Sequence, residues 1–186
     1  MAEPSRSLSE LLLPPAEAVK LEAHGGTEAA VLVPMHGWPK NPGLIFTERR
    51  SDLSRHAGEI SFPGGRRDGD EELLDTALRE AEEEIGLPPD KVEVAGALPP
   101  IGTFVTNYKI TPFVGLIERG MRFEPNPAEV ESVLVASLGD LSAGYEKRRL
   151  VRRGVPIKTD TYLVGDQLIW GATARILAML FERLRA

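Results

Sequence analysis

Between Gly64 and Leu87, nine of 24 residues are Asp or Glu, and Glu82, Glu83 and Glu84 stand side by side. Like charges at this density repel unless something positive sits among them. On a helix that turns about 100° per residue, Glu80, Glu83 and Glu84 form an i, i+3, i+4 triangle within an arc of about 100°. Glu82 falls apart from them, near Asp75, and is expected to meet water. Arg79 can reach Glu83 at i+4, and Asp75 can reach Arg79 in the same way. Surplus negative charge remains, which a hard divalent cation such as Mg²⁺ or Mn²⁺ neutralises through oxygen ligands. The competing reading is a solvated acidic face. The preceding Phe62-Pro63-Gly64-Gly65 tips the balance toward metal, because it reads as a rigid turn able to aim a backbone carbonyl at an ion held by the helix.

The elements that must hold this triangle are legible in outline. A helix is expected over 71–85, with Leu74, Leu78, Ala81 and Ile85 within about 60° of arc as its core stripe and Glu80, Glu83 and Glu84 well away from it. Gly86 followed by Pro88 and Pro89 stops it. A second helix is expected over 171–185, packing Ile176, Leu177, Leu180 and Leu184 inward. Strand-like runs occur at 29–34, 43–48, 59–62, 92–98, 110–118 and 130–138, with weaker ones at 148–153 and 159–165. Turns such as HGWPKNPG, LPPDK and EPNP separate them. Strands and helices at mixed spacing predict an α+β fold, a mixed sheet covered by helices. Neither repeats nor low-complexity linkers interrupt the chain, so residues 1–186 are expected to form a single domain.

Composition removes whole classes of function. The net charge of −6, from 22 Lys and Arg against 28 Asp and Glu, argues against general nucleic-acid binding, which needs a basic surface. Acidic substrates must then be met through local arginines or through metal. No apolar run approaches the roughly 20 residues of a membrane helix. The start, MAEPSRSLSELLLPP, is too short in its apolar stretch and too acidic for a secretory signal, and the end, ERLRA, is no peroxisomal address. Zero cysteines exclude disulfides and thiolate metal sites, which fits a cytoplasmic location. His24 and His36 have no partner spacing for a metal, and His56 reads as structural.

The order Gly65, five residues, Glu71, seven residues, Arg79-Glu80-Ala81-Glu82-Glu83-Glu84-Ile85-Gly86-Leu87 resembles the Nudix box, G-x5-E-x7-R-E-U-x-E-E-x-G-U, where U is a bulky aliphatic residue. Every fixed position matches, and Ala81 at the first U is the one soft departure. The resemblance implies an α/β/α sandwich with a mixed sheet that hydrolyses a nucleoside diphosphate linked to another moiety, using Mg²⁺ or Mn²⁺. It also implies Glu80, Glu83 and Glu84 as metal ligands, with the Gly65 carbonyl a further one, and Glu71 and Arg79 as organisers. The general base is then Glu80 or a later acid, Glu129 in PNPAEVES, with Glu131 its near rival.

Upstream, Thr47, Arg49, Gly58 and Phe62-Pro63-Gly64-Gly65 are similar to the motif of coenzyme A pyrophosphatases, L-L-T-x-R-[SA]-x3-R-x3-G-x3-F-P-G-G. Arg50 stands where Ser or Ala belongs, and Ser54 where Arg belongs, with Arg55 one residue on. The stretch Leu168 to Arg175 also resembles the ending of that subfamily. This implies cleavage of the diphosphate of CoA or its derivatives into 3′,5′-ADP and 4′-phosphopantetheine, with Arg49, Arg50 and Arg55 gripping phosphate. Lys147, Arg148, Arg149, Arg152 and Arg153 form a second basic cluster, which reads as a solvated hairpin face. Two alternatives stay open: hydrolysis of ADP-ribose or another nucleoside diphosphate derivative, and a catalytically silent Nudix-fold binding module. Thr103 stands where some of those other subclasses carry Pro or Tyr, no SQPWPFP-like stretch follows the box, and every box acid is retained. The expected partner is a small-molecule substrate, without nucleic acid or membrane; a homodimer is compatible with the sequence.

Overall fold

A computed structural model describes residues 7–50, 58–103, 106–152 and 155–185. Ser54, Arg55, His56 and Arg153 lie outside the described residues. The elements run α1 (Leu8–Leu11), α2 (Pro15–Ala18), β1 (Thr27–His36), β2 (Gly43–Arg49), β3 (Ile60–Ser61), β4 (Gly64–Arg66) and α3 (Leu73–Ile85). After a 3₁₀ turn at Pro89–Lys91 come β5 (Glu93–Ala97), β6 (Ile101–Gly102), β7 (Tyr108–Ile117), β8 (Val130–Ser137) and α4 (Leu138–Ala143). The chain closes with β9 (Tyr145–Arg152), β10 (Val155–Val164), β11 (Gln167–Ile169) and α5 (Gly171–Arg185). None of the described helices is long and apolar enough to cross a membrane.

Every expected strand is present with its ends shifted by a few residues, as end effects dictate. The short pieces β4, β6 and β11 and the helices α1, α2 and α4 gave too little periodicity to be read in advance. β1 and β7 form the parallel centre of the main sheet, in register from Thr27↔Tyr108 to His36↔Ile117. All other pairings are antiparallel, so the sheet is mixed. Side chains alternate across it, as the pleat requires. Ala30, Leu32, Ile45 and Phe113 pack with Leu73, Ala77, Ala81 and Ile85 of α3. Val33, Met35, Leu44, Phe46 and Val114 pack against Leu141 of α4 and Ile176, Leu177 and Leu180 of α5. The result is the expected sandwich, with α3 on one face and α4, α5 and the small β9–β10–β11 sheet on the other.

The sheet forks where the site will stand. β2 pairs with β1 only at Gly43 and Leu44, and beyond that point it pairs with β3 through Thr47↔Ser61 and Glu48↔Ile60. β1 in turn takes β4 as its neighbour, Ala30 opposite Gly65 and Val31 opposite Gly64. Phe62 and Pro63 therefore cross from one prong to the other, with Phe62 stacked on Phe46 at 4.7 Å and the Pro63 carbonyl accepting from the Leu32 N–H. This corrects the expectation of a rigid turn at 62–65. Gly64 and Gly65 are strand residues, laid flat beneath α3.

Candidate active site

Helix α3 begins two residues later than expected, and its buried face is rotated. Leu73, Thr76, Ala77, Ala81, Glu84 and Ile85 are buried, while Leu74 and Leu78 are only partly covered. The expected stripe through Leu74 and Leu78 is therefore off-centre, and the expectation that all three glutamates lie well away from the core fails for Glu84, which is 8% exposed. Small residues at 77 and 81 let α3 lie close to the sheet, and that closeness draws Glu84 in. Gly86, at φ 65°, ends the helix in the left-handed conformation.

Gly65 is where the strand prong meets the helix. A Cβ there would lie 2.4 Å from the Glu80 carboxyl carbon, so only glycine lets this carboxylate rest on the backbone. The Gly64 N–H offsets part of the cost of charge on the Glu84 carboxyl. Its Oε2 is buried without a hydrogen-bond partner. Burial foremost, then the neighbouring charge of Glu80, pushes the Glu84 carboxyl up to about 8; Glu129 adds to the rise, and Arg49 opposes it. Burial also raises Glu80, against the pull of Arg79.

Arg79 organises the outer edge. Its Nη2 donates to Glu71 Oε1 at 2.9 Å and its Nε to Glu71 Oε2 at 3.2 Å. Its Nη1 lies 3.0 Å from both Glu80 Oε1 and Glu83 Oε2. The i, i+4 contact to Glu83 is as expected, but the partner expected at Asp75 is instead Glu71, and Asp75 is exposed. Glu71 also accepts from the Asp68 N–H and the Thr76 hydroxyl, and these bonds, led by Arg79, hold its carboxyl at about 2. Glu82 is exposed to solvent.

Among the described residues, no three His, Cys, Asp or Glu side chains are already closed up as a metal-holding group. Arg79 keeps Glu83 at its own side, while Glu84 faces inward. The donor set nevertheless fits a hard divalent cation. It offers carboxylate oxygens, one of them buried and unpartnered, in a place where repulsion between Glu80, Glu84 and Glu129 raises the cost of ionisation.

The last strand, β8, brings the downstream acid. Glu48 pairs with Ser132 but Arg49 pairs with Val130, so Glu131 is the extra residue of a β-bulge and is exposed. Without the bulge Glu131 would stand opposite Arg49. With it, Glu129 is the acid whose charge is felt by Glu80 and Glu84, and its Oε2 lies 4.0 Å from Arg49 Nη1. Sequence reading left these two acids as rivals because a bulge has no signature in a single sequence. Arg49 Nε is buried without a hydrogen-bond partner. Arg50 is turned elsewhere, its Nη1 donating to the Pro127 carbonyl. The second basic cluster is split by the hairpin: Lys147 and Arg149 share one face, Arg148 the other, with Arg148 bonded to Glu146 at 2.7 Å and Lys147 3.8 Å from Asp160.

Comparison with known proteins gives this arrangement its context. Residues 27–153 match the NUDIX domain. A protein of Pectobacterium atrosepticum described as an uncharacterised Nudix hydrolase NudL is 38% identical over 174 residues, spanning 92% of this chain and 88% of that one. The protein of the same description from Photorhabdus laumondii is 38% identical over 179 residues, spanning 95% and 94%. Solved structures with the same fold include the M. smegmatis Nudix hydrolase RenU, with TM-score 0.53, 20% identity and coverage of 66% and 76%. A MutT/nudix family protein from Enterococcus faecalis gives TM-score 0.55, 14% identity and coverage of 86% and 62%. Nudix hydrolases generally use divalent metal ions and act on small-molecule substrates. With its box acids gathered where α3 crosses the forked sheet, and with relatives of this name over nearly its whole length, the chain belongs to the Nudix hydrolase family.

Proposed function

We propose that the chain, acting as one catalytic domain, hydrolyses the diphosphate linkage of coenzyme A or a CoA derivative, giving 3′,5′-ADP and 4′-phosphopantetheine. The observation that carries this reading is Arg49. It stands at the Arg position of the T-x-R stretch that resembles the CoA-specific motif, on the edge of the acid cluster. Its Nε is buried without a partner, although its Nη1 is within ion-pair distance of Glu129. A buried guanidinium N–H left unsatisfied is costly unless a ligand oxygen completes it, and a phosphate does so with charge assistance.

In this reading Glu80, Glu83 and Glu84, with the Gly65 carbonyl, hold Mg²⁺ or Mn²⁺. When bound, the ion supplies positive charge for the diphosphate and makes water more acidic. Glu129 accepts the proton of the attacking water, as a carboxylate set beside the acid cluster can; Glu80 is the other candidate for that role. Arg79 and Glu71 fix the direction in which Glu80 and Glu83 present their oxygens. Arg49, together with Arg55, binds substrate phosphate. The site is built for a small molecule, and the cytoplasm, where CoA is made and used, is its proposed location.

Side-by-side assays with Mg²⁺ against CoA, ADP-ribose, NADH and diadenosine polyphosphates test the reading, and CoA should be cleaved fastest. Arg49→Ala should raise KM for CoA by the equivalent of about 1.5–3 kcal/mol, the range for a hydrogen bond to a charged group. An effect that shrinks with dephospho-CoA assigns Arg49 to the 3′-phosphate, and an undiminished one assigns it to the diphosphate. ADP-ribose cleaved much faster than CoA would defeat the substrate assignment and leave the reaction class intact.

A further inference from the structure

Arg50 is the position at which the upstream motif departs from its subfamily pattern, and its surroundings give it other work. The segment 124–129 carries Glu129 and is tied at several points to the elements that carry the acids. The Glu124 N–H donates to the Ile85 carbonyl at 2.9 Å and the Asn126 N–H to the Glu84 carbonyl at 2.8 Å, so the segment hangs from the last turn of α3. Asn126 closes the segment on itself: its carbonyl accepts from the Glu129 and Val130 N–H groups, and its Oδ1 accepts from the Ala128 N–H at 3.0 Å. On the opposite side stands β2. The Arg50 N–H donates to the Glu129 carbonyl at 3.0 Å, and the Arg50 guanidinium donates to the Pro127 carbonyl. Pro127 lacks an N–H, and among the described residues the Arg50 guanidinium is the group recorded on its carbonyl.

We infer that Arg50 is a positioning residue, whose guanidinium clamps the 124–129 segment against the end of β2 so that Glu129 is held beside Glu80 and Glu84. The inference deepens the proposed function and rests on its assignment of Glu129 as the proton acceptor. It reassigns Arg50 from phosphate binding to loop geometry. The bulge at Glu131 is the other half of the device. The bulge chooses which acid faces α3, and the clamp fixes how far it reaches. Two neighbouring arginines then divide the labour, Arg49 at the end of β2 beside the acid cluster and Arg50 just past it, behind the loop.

The test compares Arg50→Ala, Arg50→Lys, Glu129→Gln and the Arg50→Ala, Glu129→Gln double variant, using whichever diphosphate substrate the parent cleaves fastest. Arg50→Ala should lower kcat about tenfold to a hundredfold, the scale on which a displaced catalytic group loses rate, while KM stays within about twofold. Arg50→Lys, which keeps one donor for the Pro127 carbonyl, should recover part of the loss. In the Glu129→Gln background Arg50→Ala should add nothing beyond about twofold, since residues acting through one another are not additive. Amide hydrogen exchange of metal-free protein supplies a readout independent of turnover: segment 124–130 should exchange faster in Arg50→Ala, with 73–85 unchanged. A rise in KM at constant kcat, or losses that multiply in the double variant, would overturn the inference. Unchanged exchange in 124–130 would overturn the clamp whatever the kinetics show. If Glu129→Gln retains full kcat, the base assignment fails, and faster exchange would then leave Arg50 as a loop clamp without that catalytic consequence.

Discussion

At the outer edge of α3, Glu83 and, just before the helix, Glu71 are hydrogen-bonded to Arg79, whereas on the inward side Glu84 is buried with Oε2 unpartnered. The two edges belong to one helix and one sequence motif, yet they answer charge in different ways. On the outer edge a protein cation is built in, and Glu71 is held at about 2 by the bonds it accepts. On the inner edge the Gly64 N–H and the more distant Arg49 offset only part of the cost, and Glu84 rises to about 8. The outer edge has its counter-charge on folding, whereas the inner edge keeps an unpartnered oxygen that, in the proposed function, an added cation would complete. The contrast shows how one cluster of acids can be a rigid scaffold on one side and, in the proposed function, a metal site on the other.

The largest effect expected from breaking this contrast is on turnover. Glu84→Gln removes the buried carboxylate, and loss of several kcal/mol of metal-supplied charge stabilisation should cost about a hundredfold or more in kcat. The same substitution should raise the melting temperature of metal-free protein at neutral pH, because an amide needs no ionisation in a buried place. Steady-state kinetics and a thermal melt with chelator, on one preparation, check both. A variant that is inactive and also less stable without metal would break the comparison.

Metal should act on stability in the same sense, by neutralising the charge instead of removing it. Saturating Mg²⁺ binds the folded state and stabilises it by about 2.7 kcal/mol at a hundred times its Kd. For a chain of this size that amounts to about 5–10 °C in Tm. The shift should vanish in a Glu80→Gln, Glu84→Gln double variant. A parent protein whose Tm ignores Mg²⁺ would count against metal binding at the inner edge.

The pH dependence of metal-free stability is a finer probe. Glu84 titrates near 4.5 when unfolded and near 8 when folded, so the folded state holds the proton more tightly. Stability from this group is complete below about pH 4.5 and is lost as pH rises toward and through 8. Glu71 has the opposite sign: its contribution is present above about 4.5 and is lost as pH falls toward 2. Melts with chelator between pH 5 and 8 should therefore fall with pH in the parent and run flatter in Glu84→Gln. A Glu71→Gln variant should keep the parent's slope over that window.

How much of this was legible beforehand follows the same division. The order of box residues sufficed for the helix, its stop at Gly86 and the Arg79–Glu83 contact, because those are local and obey helical spacing. The rotation of the buried face was not legible, since Leu74 and Leu78 are larger than Ala77 and hydrophobicity favours them. What decides the matter is close approach, and Ala77 and Ala81 permit it. The fork in the sheet, the bulge at Glu131 and the bond from Arg50 to Pro127 depend on residues distant in sequence meeting in space. A single sequence carries no periodic trace of such meetings.

The smallest expected effect is the sharpest control on the comparison. Glu82 lies between Ala81, which is fully buried, and Glu83, which is bonded to Arg79, yet its own side chain points to solvent. Removing one charge there touches neither edge, so Glu82→Gln should change stability by no more than about 0.5 kcal/mol, as exposed substitutions do. Its kcat should stay within about twofold of the parent, because a change of 0.4 kcal/mol or so in barrier is only twofold in rate. Glu83→Gln, one residue away, should cut kcat by at least about tenfold by removing a charged ligand. It should also loosen Arg79, read as a modest fall in metal-free Tm. Equal losses at 82 and 83 would mean that net negative charge on α3, rather than the facing of each carboxylate, is what the site requires.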